Sequence, residues 1–147
     1  MNESCFIETR VVVDDGRHNA FTDLLYWREA FWLVYVSAPG HFASSDSYLV
    51  LMRSLDASDW QEVHRFSGDG KDIRDPKLAI IQDRLFLFAL LNASFDPQPY
   101  STVYTVSMDG LDWEPFSEIS APGWLFGRPR TPDGQMWFVS AHWRGFD

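Results

Sequence analysis

Three groups of polar residues recur along this 147-residue sequence: Arg17-His18-Asn19 with Asp23, then Arg74-Asp75, then Arg128. Guanidinium groups that converge can grip a carboxylate through a two-bond fork. Carboxylates such as Asp23 and Asp75 suit general acid/base work, and cleavage of a glycosidic bond takes two of them. A neutral imidazole, as at His18 or His41, can donate to a hydroxyl or act as a base. Each residue also has a plainer use. Arg74 can pair with Asp72 or Asp75, and Arg128 is crowded by Arg130 and two prolines. Asp75 can serve a turn, with Pro76 holding its backbone extended. His41 follows Gly40 in a loop and can be incidental. His18, His41 and Asp23 show no known metal spacing, so no metal is expected. Gly-x-Gly-x-x-Gly, the P-loop and Gly-x-Ser-x-Gly are all absent, and no cofactor is expected.

These groups need elements to position them, and the composition says which. Hydrophobic residues make up 46% and charged residues 22%, a globular balance. The formal net charge of −9 argues against nucleic acid or an anionic membrane as partner. The lone Cys5 permits neither an internal disulfide nor a cysteine-built zinc site. The opening MNESCFIETR lacks the pattern of a secretory signal, and no apolar run spans a bilayer, so a soluble cytoplasmic protein is expected.

Short apolar runs of strand length and composition fill the chain: 31–36, 48–52, 85–90, 102–106 and 135–140. A further strand is expected from Ala20 to Tyr26, with a turn at Arg28-Glu29-Ala30. Turn clusters bound the runs at 38–40, 67–70, 96–99 and 132–134. No segment keeps a helical period. A repeat is visible: Ser54-Leu55-Asp56-Ala57-Ser58-Asp59-Trp60 against Ser107-Met108-Asp109-Gly110-Leu111-Asp112-Trp113, offset by 53 residues. Its Ser and Asp can hold a tight turn through backbone N–H groups, and its Trp can tuck between sheets. Four short strands per repeat of about 50 residues read as a propeller blade.

The Ser-x-Asp-x-x-x-Trp motif resembles a shortened Asp-box, the blade signature of sialidases. Asn19 to Leu24 with Phe31 to Tyr35 and Gly40-His41 resembles the first part of a bacterial sialidase-like family. Asp72-Ile73-Arg74-Asp75-Pro76-Lys77-Leu78 with Asp83-Arg84-Leu85 resembles its next blade, and Trp124-Leu125-Phe126 with Arg128 its third. The resemblance implies an all-β, partial sialidase-like β-propeller, with about two full four-stranded blades and part of a third. The expected single domain covers 1–147, with blade repeats near 17–66, 71–119 and 124–147. Sialidase-like propellers typically have six blades. The arithmetic therefore implies a fragment of a longer propeller, or a homo-oligomer completing one ring.

The resemblance also implies that the residues ahead of each innermost strand gather at the mouth of a central channel. Arg74 and Arg128, with His18 and His41, would then bind a glycan or another small anionic ligand, the arginines gripping its carboxylate. Asp23 and Asp75 would be the acid/base carboxylates of a glycoside hydrolase. Tyr26 and Glu29 lie in the wrong part of the blade to supply a Tyr–Glu nucleophile. Two departures stand out. Val36-Ser37-Ala38 replaces an Arg-Glu-Gly type of segment, removing one channel arginine, and Ala57-Ser58 replaces the usual glycine of the first motif. Trp124 or Trp143 could stack on sugar, though most aromatics suit the core between blades. The alternatives are a non-catalytic propeller scaffold for protein interaction and an inactive fragment.

Overall fold

The computed structural model describes residues 8–93, 100–130 and 135–142. The turn clusters expected at 96–99 and 132–134 and Trp143 lie outside these residues.

Two four-stranded antiparallel meanders form the body. The first has the order β1(His18–Trp27), β2(Ala30–Ala38), β3(Tyr48–Ser54), β4(Gln61–Ser67). The second has β5(Asp72–Ile81), β6(Arg84–Asn92), β7(Ser101–Ser107), β8(Ser117–Glu118). A third pair, β9(Trp124–Phe126) and β10(Ser140–His142), follows. The first two strands of each large sheet are joined by a two-residue hairpin. Its central residues, Arg28-Glu29 and Gln82-Asp83, all have positive φ, the primed turn that matches strand twist.

The sheets pack face to face, as the alternating apolar runs demand. Trp32, Val34, Val36, Leu49, Leu51 and Phe66 of the first sheet meet Ile73, Leu78, Leu85, Leu87, Ala89 and Val103 of the second. Phe86, Phe88 and Val106 on the far face of the second sheet meet Phe138 of the third unit. This is the stacked-blade arrangement of a partial β-propeller.

The repeated turns have the same bonding. Asp56 Oδ1 accepts the N–H groups of Ser58 and Asp59 at 2.8 and 2.9 Å, and Asp109 Oδ1 those of Leu111 and Asp112 at 2.8 and 3.0 Å. Trp60 Nε1 donates to Ala57 O, and Trp113 Nε1 to Gly110 O. The turns sit beside the hairpin tips: Arg28 Nη1 donates to Met108 O at 2.6 Å, and Trp27 Nε1 to Asp83 Oδ1 at 3.1 Å. This end of the sheets is latched together, which leaves the other end for a site.

Three readings of the sequence need correction. The run 135–140 is not a strand. Trp137 and Arg130 pair as an isolated bridge, and strand pairing resumes at Ser140. Pro129 has no N–H to donate, and Phe138 turns inward onto Phe88 and Phe126. Second, Arg74-Asp75 do not precede the innermost strand but lie inside β5, as His18 and Asn19 lie inside β1. Third, Asp75 is not extended. Its φ is +51°, because a bulge opens there.

Candidate functional site

The first strand of each large sheet carries a bulge, and the chain slips in the same way just past β9. Phe21-Thr22 stand opposite Tyr35 alone, between the pairs Ala20–Val36 and Asp23–Val34. Asp75-Pro76 stand opposite Ala89, between Arg74–Leu90 and Lys77–Phe88. Arg128-Pro129 stand opposite Phe138, between the Gly127–Val139 bond and the Arg130–Trp137 bridge. Phe21, Asp75 and Arg128 are therefore register equivalents, as are Asp23, Lys77 and Arg130. Arg74 matches Ala20 and Gly127. The arginines at 74 and 128, expected to be matched, are one residue out of register, so they point to different tasks.

Arg74 is committed to Asp72 and to the β2–β3 loop. Its Nε donates to Asp72 Oδ2 at 2.5 Å and its Nη2 to Asp72 Oδ1 at 2.8 Å, while Nη1 donates to His41 O at 3.1 Å. Asp72 is fully buried. It also accepts the Ser44 N–H at 3.0 Å and the Tyr100 hydroxyl at 3.2 Å. Burial alone would raise its pKa, but the Arg74 fork and the Ser44 N–H outweigh that and hold it below the usual carboxylate range. The β2–β3 loop is docked by the same cluster, since Ser47 Oγ accepts the Ile73 N–H at 2.8 Å.

Asp23 and Arg128 are brought together, away from that cluster. Arg128 Nη2 pairs with Asp23 Oδ1. The other Asp23 oxygen accepts the Leu78 N–H at 2.8 Å, and Oδ1 takes the Leu24 N–H at 3.0 Å. One buried carboxylate thus joins the first sheet, the second sheet and the third unit. Arg17 is likewise occupied, by Ser37 Oγ and by Asp46.

Asp75, Arg74 and His41 line one open cavity of about 540 Å³ with Phe21, Phe42 and Tyr100. His18 stands behind His41, with the rings edge-to-face at 5.4 Å and its buried Nε2 without a hydrogen-bond partner. Asp75 also lines a second cavity of about 340 Å³ beside Lys77, Gly127 and Ser140. No hydrogen bond to the Asp75 carboxylate is found among the described residues. Burial raises its pKa, against the pull of Lys77 and Arg74. A left-handed backbone at a non-glycine residue that precedes proline is strained. Among the described residues no group of three or more metal-ligating side chains occurs.

Tyr26 and Glu29 lie at the latched end, Tyr26 packed on Phe31 and Glu29 in the hairpin turn. Sequence reasoning named Asp72 as one partner open to Arg74, and missed Tyr100, Phe21 and Phe42 as cavity residues. Asp72 stands two residues before Arg74, the same-face spacing on a strand that lets the two form this fork. Tyr100 and Phe42 carry no local signal, because loops and sheet stacking bring them in.

No protein-family model matches the sequence, and no curated protein matches it. Among solved structures the chain is similar to Zg3597, a family 117 glycoside hydrolase produced by the marine bacterium Zobellia galactanivorans. The TM-score is 0.63 at 9% identity, over 85% of this chain and 48% of that one. The chain thus spans about half the length of that structure, and the likeness is one of fold. A second, lower match is a GH43 endo-arabinanase from Bacillus licheniformis, with a TM-score of 0.32 and 11% identity over 84% and 73% of the two chains.

Proposed function

We propose that the chain is a glycan-acting propeller domain whose mouth cavity seats a sugar unit against Asp75, with glycosidic bond hydrolysis as the reaction. The observation that carries this is Asp75 itself. It is a carboxylate with no hydrogen bond among the described residues, held by a strained bulge on the wall shared by two cavities. Burial keeps its proton on to higher pH, as a general acid requires. Strain of this kind persists where the surroundings over-determine it, often at functional sites. The fold of Zg3597, named as a glycoside hydrolase, and the repeated Ser-x-Asp-x-x-Asp-Trp turns both support the reading. A closer kinship to sialidases rests on the sequence motifs alone.

The scaffold reading draws on one specific observation. Arg74, Arg128 and Asp23 are all spent on cohesion. Under it the propeller is a non-catalytic scaffold for protein interaction, and these residues serve cohesion alone.

The test is release of reducing sugar from a panel of oligosaccharides by the native chain and by Asp75→Asn. Removing the proton donor lowers the rate by about 100-fold or more, with an unchanged melting temperature or a slightly higher one. Cleavage that survives in Asp75→Asn overturns the assignment. The absence of both cleavage and sugar binding, with either protein, favours the scaffold.

A further inference from the structure

We infer that the mouth cavity selects uncharged sugars and disfavours carboxylated ones; this rests on the glycan reading above and names its substrate class. The sequence suggested the opposite, because arginines ahead of innermost strands can grip a sugar carboxylate. The geometry removes that grip. Arg74 is the only Lys or Arg side chain among the described residues lining this cavity, and the oxygens of Asp72 fill its fork. Its remaining Nη1 is held by His41 O. An incoming carboxylate would have to displace a fully buried Asp72 that is tied to the Ser44 N–H and the Tyr100 hydroxyl as well. Losing those bonds would strand a buried charge. Arg128, the second expected member of the grip, is paired with Asp23 and does not line the cavity.

What the cavity offers instead suits a neutral ring. The Asp75 carboxylate, without a hydrogen bond among the described residues, stands on its wall; ionised it repels an anion, and in either form it can hydrogen-bond a sugar hydroxyl. Phe21, His41 and Phe42 follow one another along the wall, with centroids 6.0 Å apart at each step. The rings are inclined at 31° and 70° to one another, and the two phenyl rings give the wall its apolar surface for the C–H side of a sugar. Apolar walls with a few oriented polar groups are the usual composition of a small-molecule site.

The experiment is calorimetric titration of the full chain near neutral pH. The neutral probes are arabino- and galacto-oligosaccharides, and the anionic ones are 3′-sialyllactose and trigalacturonate. The expected result is binding of at least one neutral probe, with the anionic probes weaker by about tenfold or more. Asp75→Asn narrows that gap by raising affinity for the anionic probes. Asp72→Asn, if it folds, does the same by releasing part of the Arg74 fork. Tighter binding of an anionic probe overturns the inference and leaves the glycan reading standing. Failure of all four probes to bind overturns both.

Discussion

Arg74 lays its guanidinium along both oxygens of Asp72, Nε on Oδ2 at 2.5 Å and Nη2 on Oδ1 at 2.8 Å. The pair ties β5 to the loop above it and to Tyr100. Asp72→Ala removes the acceptor and leaves a largely buried cation unpaired. The expected loss is about 3–5 kcal/mol of unfolding free energy, read from urea denaturation.

The same pairing sets a pH dependence. Asp72 has its folded pKa below the unfolded value. Its contribution is complete above the ordinary carboxylate pKa and is lost as pH falls through the depressed folded value. Asp56 and Asp109 act in the same direction, each held down by two backbone N–H groups of its turn. Asp75 acts oppositely. Its folded pKa is raised, so its contribution is lost as pH rises from the ordinary value through the raised one. Melting temperature measured against pH is therefore expected to fall steeply on the acid side, and Asp75→Asn is expected to gain relative stability toward neutral pH.

Ala57 and Gly110 occupy the same turn position with φ of +60° and +83°. At Ala57 the left-handed backbone costs about 1 kcal/mol, which Ala57→Gly recovers in large part. At Gly110 a methyl group would sit 2.2 Å from the Trp32 ring. Gly110→Ala is expected to lose about 1 kcal/mol from backbone strain and a further 1–3 kcal/mol or so from overpacking. Thermal melts of the two variants should move in opposite directions.

Trp113 leans edge-on against Phe66 of the neighbouring sheet at 5.1 Å, so the turn that carries it clamps one blade to the next. Its repeat partner Trp60 packs beside Tyr35, Val50 and Met52 of its own sheet. Trp113→Ala is expected to cost about 3 kcal/mol or more, and Trp60→Ala less. Equal losses by denaturant titration would mean that the inter-blade contact adds nothing.

Local patterns were legible in the sequence. Alternating aromatic and β-branched runs place β2, β3, β6 and β7, and Ser-x-Asp-x-x-Asp-Trp places the turns, because both signals act within a few residues. The bulges were not legible. Phe21, Asp75 and Arg128 share no residue type, and what they have in common is a slip of pairing that exists only once β2, β6 and the 137–142 segment are alongside. That slip moved Arg74 out of step with Arg128 and turned two expected ligand-binding arginines to other carboxylates. Asp23 was legible as a notable carboxylate but not as a clasp, since Leu78 and Arg128 reach it from other sheets. The aromatic wall of the cavity was hidden for the same reason.

The strain at Asp75 allows structure and function to be separated. Asp75→Gly removes the carboxylate and relaxes a left-handed backbone in one step. It is expected to raise stability by about 1 kcal/mol while abolishing any cleavage that the cavity supports. A variant that loses both stability and activity would mark Asp75 as a structural residue.

The most direct test of the account is a carboxyl-carbon NMR titration of Asp75, with and without a neutral oligosaccharide. The account predicts a pKa above the ordinary carboxylate range in the free protein and a further change when the sugar occupies the cavity. A carboxyl that titrates like an exposed aspartate, unmoved by any of the oligosaccharides, would contradict it.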